Sequence, residues 1–320
     1  MFILPHIIGV TILSATPFFD MYMHKRVNKN KYTRLSRFPD ALIPAALLAA
    51  SILGQGKRAM LLYLCAFAVH MLSLGASHGI RAAFASQTTV KAVRGSVICA
   101  MTLQITGFII LLFLPYLNCN IDLLSLLPEL AAGLSLNIEH MFYEYLYAMG
   151  DLYSAVMCHG LTALFTLTGL LLDAGRETTY CVSIAAVISA AVSFVISATI
   201  HGLSGRINAQ VIKCAPRAMV YSASYPFILS IMTFFLRDVS LSVPFFSSLI
   251  IYELCRTPYR RSSMESRLMN RFLFSLSVIS GICIIVSFCF YEKTAPQAVF
   301  SICGAVIASS ICSFIMFGRI

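Results

Sequence analysis

Four polar side chains stand at spacings that would place them on one helical face: His140, Glu144, Tyr147 and Asp151. At about 100° per residue they fall within an arc of about 60°, and in an unbroken helix His159 would lie about 80° further round. An imidazole, a phenol and two carboxylates so placed could relay protons or hold a cation, and less readily ligate a metal. The same pattern fits an amphipathic segment lying at a membrane surface with its charges toward water. That reading is favoured for His140 and Glu144, which precede the apolar run. Asp151 and His159 are expected to lie deeper.

Glu129 is the sharpest single candidate, because it stands between Leu126-Leu127 and Leu130-Ala131. An acid in hydrocarbon costs about 2.5 to 3.5 kcal/mol on insertion scales, so it must be neutral, paired or facing water. Pro128 beside it would interrupt a helix and free a carbonyl, as in the discontinuous helices that line transport sites. Asp20 and Glu253 are further candidates, each at the end of an apolar run. His70 and His78 lie eight residues apart and share a face, although a hydrogen bond to a neighbouring carbonyl would explain either one.

The elements that must position these residues are membrane spans. The chain has 320 residues, 59% of them hydrophobic and 11% charged, whereas soluble domains carry about 25% charged residues. An all-α polytopic integral membrane helix bundle is implied, a single transmembrane domain over residues 1–320, placed in the plasma (cell inner) membrane. The net charge of +10 is gathered in short clusters between apolar runs. This argues against a nucleic-acid surface and for cationic loops held on the cytoplasmic side. The eleven cysteines include no Cys-x-x-Cys pair and read as small hydrophobes. The first residues lack the basic region of a cleaved leader, so 3–19 reads as a retained helix.

Ten spans are legible, near 3–19, 41–56, 59–80, 96–117, 152–172, 178–200, 218–236, 239–255, 272–291 and 295–317. An eleventh, 121–138, contains Pro128 and Glu129. The distribution of Lys and Arg decides whether it crosses. If it does not, the 23 basic residues divide twelve to eleven between the two sides. If it does, only Lys57, Arg58, Arg176, Arg237 and Lys293 fall outside, leaving 23 − 5 = 18 in the cytoplasm. Cationic loops stay cytoplasmic, so eleven spans are expected, with the N-terminus outside and the C-terminus inside.

A shift of 123 residues aligns His78-Gly79-Ile80 with His201-Gly202-Leu203, Arg94 with Arg217 and Pro5 with Pro128. This suggests a four-helix unit repeated over 1–118, 121–238 and, incompletely, 239–320, an arrangement common in transporters. No P-loop, zincin, nucleophile-elbow or zinc-ribbon spacing is present. Neither a cofactor nor a metal is therefore expected. The implied partners are the lipid bilayer, anionic headgroups at the basic loops such as 256–271, and a second membrane protein.

The runs Thr233-Phe234-Phe235-Leu236-Arg237, Ser240-Leu241-Ser242-Val243-Pro244 and Pro17-Phe18-Phe19-Asp20 resemble segments of multidrug and polysaccharide-lipid flippases. They cover little of the chain and carry no site residue across. Span number, repeat and midplane polar groups together point to a transporter or flippase for a small molecule, ion or lipid-linked substrate. A non-catalytic assembly component of the envelope or of secretion comes second, and an intramembrane lipid-modifying enzyme third.

Overall fold

A computed structural model describes residues 39–77, 80, 90–113, 125–175, 179–203, 205, 209, 211–212, 242–261, 303–304, 307 and 311. For residues 39, 90–92, 252–253 and 255–261 only the backbone is described. Every element among the described residues is helical. After a 3-10 turn at Pro39–Ala41 come α1 (Leu42–Ala50), a π-helical turn (Ser51–Gln55), α2 (Gly56–Leu72), α3 (Val90–Phe113), α4 (Leu127–Ala148), α5 (Leu152–Leu172), α6 (Tyr180–His201) and α7 (Ser242–Arg261). Four stretches are long and apolar enough to cross a membrane: Leu42–Leu72, Val93–Phe113, Leu152–Leu172 and Tyr180–His201. The chain is a helical membrane protein. The spans expected at 3–19, 218–236, 272–291 and 295–317 fall wholly or mostly outside the described residues.

Two compact units are formed, one by Ala49–Ser222 and the other by Met1–Leu48 with Ala223–Ile320. In the second, α7 packs against the 3-10 turn at Pro39–Ala41. Phe245 and Phe246 are buried edge to face, with ring centroids 5.1 Å apart.

The first unit is built around α4, which packs against α2, α3, α5 and α6. Its outer helices are inside out relative to a soluble protein. On α6 the inward face is Ser183, Ala186, Ser189, Ala190, Ser193 and Ser197, while Ile184, Val187, Ile188 and Val195 point outward and are exposed. Small residues let backbones approach, and the outward aliphatic face suits lipid, since water would penalise it. Glycines mark the closest approaches. A Cβ on Gly107 would come within 2.6 Å of the Ser73 nitrogen, one on Gly133 within 2.6 Å of the Ala66 nitrogen, and one on Gly169 within 2.6 Å of the Val182 Cα. They fasten α3 to the end of α2, α4 to α2 and α5 to α6.

Helix ends follow local chemistry. The span expected over 59–80 stops at Leu72: the Gly75 amide donates to the His70 carbonyl (2.9 Å), Leu74 to Met71 (3.1 Å), and the Ser73 hydroxyl also to His70 (2.9 Å). These are the reversed bonds that close a helix C-terminus, here with Leu74 in the left-handed region at φ 55°. Helicity is likewise broken at Leu53 and Gly54, between the spans expected at 41–56 and 59–80. At the start of α6, the Asp173 carboxylate accepts from the amides of Cys181 (3.0 Å) and Val182 (2.9 Å). Arg58 of α2 donates to the Asp173 carbonyl. Replacing this buried cap, Asp173→Ala, is expected to cost about 1 to 2 kcal/mol, read as a lower midpoint in denaturation of the detergent-solubilised protein. An unchanged midpoint would show that the cap is dispensable.

Candidate functional site

The sequence puts 121–138 in a span and 139–159 in a following helix, but the break falls elsewhere. Pro128 sits in the first turn of α4, where its missing amide costs nothing and it starts the helix without interrupting it. The helix then runs unbroken through Glu139, His140 and Glu144 to Ala148. It ends because Gly150 takes φ 84°, with its amide donating to Tyr147 (3.1 Å) and that of Asp151 to Leu146 (3.0 Å). Asp151 is the N-cap of α5, its carboxylate accepting from the Ser154 amide (3.1 Å). The face proposed for His140, Glu144, Tyr147 and Asp151 therefore loses its last member to the next helix.

This relocation moves the acids inward. Glu144 is 1% exposed at its side chain, and His140, only 24% exposed, has its Nε2 3.6 Å from Glu144 Oε1. The surface-segment reading favoured for these two is not what the structure has. α4 is enclosed by four other helices, so the charges that would have faced water face protein.

A buried contact between two ionisable side chains is one that the sequence reading did not assemble. His159 Nδ1 lies 3.0 Å from Glu139 Oε2 and 3.2 Å from Oε1, with side chains 3% and 1% exposed. Tyr143 stacks on the His159 ring, centroids 4.6 Å apart and planes at 26°. His140 stands 5.8 Å from His159 and 5.6 Å from Tyr143, ring to ring. Tyr147 follows at 6.1 Å from Tyr143. At 1.5 Å per residue, Glu139 and His159 lie about 14 and about 11 Å from the helix ends at the Gly150 corner.

Asn137, two residues before Glu139, ties this part of α4 to α2. Its amide donates to the Ala66 carbonyl (2.7 Å) and to that of Gly133 (2.8 Å), and it also hydrogen-bonds with His70 of α2. His70, expected to share a face with His78, is thus held by Asn137 and lies within electrostatic reach of His140. His78 itself is outside the described residues. Gln104 is wholly buried on α3.

At the Gly150 end, Asp151 Oδ2 pairs with His201 Nε2 at 3.2 Å, and the Tyr145 hydroxyl donates to the Gly202 carbonyl (2.6 Å). Together they latch the α4–α5 corner to the end of α6. Burial works against ionisation of Asp151, but the Ser154 amide and side chain and the His201 ring outweigh it and hold the carboxyl below the usual carboxylate range. A carboxylate depressed in the fold stabilises the fold above its unfolded pKa of about 3.9 and loses that contribution as pH falls through the lower, folded value. Asp151→Ala is therefore expected to cost about 1 kcal/mol at pH 7. That difference should vanish in strong acid, as unfolding midpoints at the two pH values would show.

Glu129 is buried in the first turn of α4, 7% exposed, with Oε2 lacking a hydrogen-bond partner. It lies near Cys65 of α2, while Ser183 of α6 donates to the neighbouring Pro128 carbonyl. Twelve residues separate the starts of α4 and Glu139, so Glu129 and the Glu139–His159 pair occupy different levels of the bundle. Asp20 lies outside the described residues. Glu253 is on α7, in the other unit, with its side chain not described. Of the aligned pairs of the repeat named above, only Ile80 with Leu203 has both members among the described residues.

Glu139 and Tyr143 are the residues missed. The signal was their recurrence with Tyr147 every four residues, which marks one helical stripe. Reading 139–159 as one unbroken helix hid their partner, because it kept His159 on the same helix as Glu139.

No protein family matches the sequence, and no curated protein does. Among solved structures, one described as the crystal structure of MATE in the bent conformation aligns with 98% of this chain and 92% of its own, at 9% identity and a TM-score of 0.34. Likeness at that level decides neither the arrangement of the helices nor what they do.

Proposed function

We propose that the chain is a multi-pass transporter or flippase of the plasma (cell inner) membrane, moving a small molecule, ion or lipid-linked substrate, with Glu139 and His159 at its working centre. One observation carries this: an acid and an imidazole in direct contact, almost without solvent exposure, well inside α4 and α5, of which α5 is long and apolar enough to cross a membrane. Ionisable groups at that depth are expensive to insert and are retained where something is bound or passed on. His140, Glu144 and Tyr143 extend the centre along α4. Asp151 with His201 closes its end, and Glu129 forms a separate acidic station at the start of the helix. The basic loop around 256–271 would hold anionic headgroups.

The test is reconstitution of the purified chain into liposomes, followed by a screen for gradient-driven movement of organic cations, anions and fluorescent lipids. Movement of one class, absent from empty liposomes, is expected. If no class moved while the protein consistently co-purified with another membrane protein, the assembly-component reading would replace this one.

A further inference from the structure

We infer that the coupling ion of this centre is a proton, carried by two adjacent carboxylate–imidazole pairs, with His140–Glu144 as the entry and Glu139–His159 as the store. The inference rests on the transport reading and specifies its ion.

The two pairs differ in access. His140 is the half-buried member, whereas Glu139, His159 and Glu144 are closed off. Their imidazole rings are 5.8 Å apart, with Tyr143 against both. A ring rotation or one bridging water spans that gap. A proton bound at His140 passes to His159 and is finally shared between His159 Nδ1 and the Glu139 carboxylate. Only N–H and O–H bonds form and break, and no electron moves.

Charge explains why a proton is wanted. Residues 95–175 contain no Lys or Arg, so α4 and α5 carry no permanent cation. Those on α2 and α3 are Lys57, Arg58 and Lys91, in the first turns of their helices, and Arg94, which meets Tyr145 toward the Gly150 end of α4. Among the described residues no Lys or Arg pairs with Glu139, so a proton, on the acid or on its imidazole, is what neutralises it. A pair holding one proton is neutral, and a pair holding none leaves a net buried charge, which low-dielectric surroundings penalise. The other groups at hand are His70 from α2, near His140, and Cys158 from α5, near Glu139. Cys99 of α3 packs in the cluster with Phe142, and α6 has no titratable residue between Cys181 and His201.

Sodium is a poorer fit. A hard cation takes six or more oxygens, or waters. Here both Glu139 oxygens lie within 3.2 Å of an imidazole nitrogen, and that nitrogen does not suit such an ion.

The full-length protein in lipid nanodiscs is titrated between high and low pH and followed by infrared difference spectroscopy in H2O and D2O. Wild type is expected to gain a protonation band, carboxylic acid or imidazolium, that is insensitive to sodium at constant pH. Glu139→Gln should lose it, and Tyr153→Phe, altering an exposed residue, should keep it. His140→Gln should keep the band but slow its hydrogen–deuterium exchange about a hundredfold. A band unchanged in Glu139→Gln, or one abolished by sodium, overturns the inference. In liposomes, substrate flux indifferent to a pH gradient overturns the proton while leaving transport standing. The expected titration without flux of any substrate class overturns the transport reading alone.

Discussion

His159→Leu is expected to destabilise the bundle by about 3 to 5 kcal/mol, because it strands a buried carboxylate without its partner. Glu139 has side-chain exposure of 1% and touches His159 through both oxygens, so it cannot recover solvation by turning outward. Glu139→Leu combined with His159→Leu should restore most of the loss, since a pair replaced by apolar residues leaves nothing unsatisfied. The non-additivity is the signature of direct contact and should reach about 2 kcal/mol or more. The single variant's deficit should shrink as pH falls, because protonation neutralises the stranded acid. Denaturation of detergent-solubilised protein at pH 8 and pH 5 reads all three quantities. Single-variant losses that simply add would mean that the two residues do not act as a pair.

Gly133→Val should cost about 3 kcal/mol, the upper part of the range for overpacking. The atoms that an added Cβ would meet are the Ala66 backbone nitrogen at 2.6 Å and Cα at 2.8 Å, and backbone cannot swing aside as a side chain can. α4 and α2 must separate, and Asn137 then loses its 2.7 Å bond to the Ala66 carbonyl. Gly54→Val is the informative contrast. It meets nothing within 4 Å and suffers only from φ 88°, so about 1 to 2 kcal/mol is expected. Equal midpoints for the two variants would refute the close α2–α4 approach.

What the sequence revealed follows from which signals are local. The apolar runs at 152–172 and 178–200 correspond to α5 (Leu152–Leu172) and α6 (Tyr180–His201), because hydropathy over about 20 residues reports burial in lipid directly. Residues 95–175, which hold no Lys or Arg, include α4, the helix around which the first unit packs. Its helix boundaries were harder to read, since three glutamates lower the hydropathy of α4 and make one continuous helix resemble a span followed by a surface segment. Gly150 and Asp151, a left-handed stop followed by a cap, are the stronger local punctuation, and they place the corner eleven residues beyond Glu139. The Glu139–His159 contact joins residues twenty apart on two helices. No periodicity within one helix can show it, whereas the corner at Gly150, once located, folds α5 back along α4.

The most direct measurement is substrate flux in liposomes containing wild type, Glu139→Gln or Tyr153→Phe at matched protein density. Glu139→Gln keeps the size and much of the hydrogen bonding of the side chain but cannot ionise. Flux is predicted to be lost in Glu139→Gln and retained in Tyr153→Phe. Wild-type flux through Glu139→Gln would contradict a working centre at the Glu139–His159 pair.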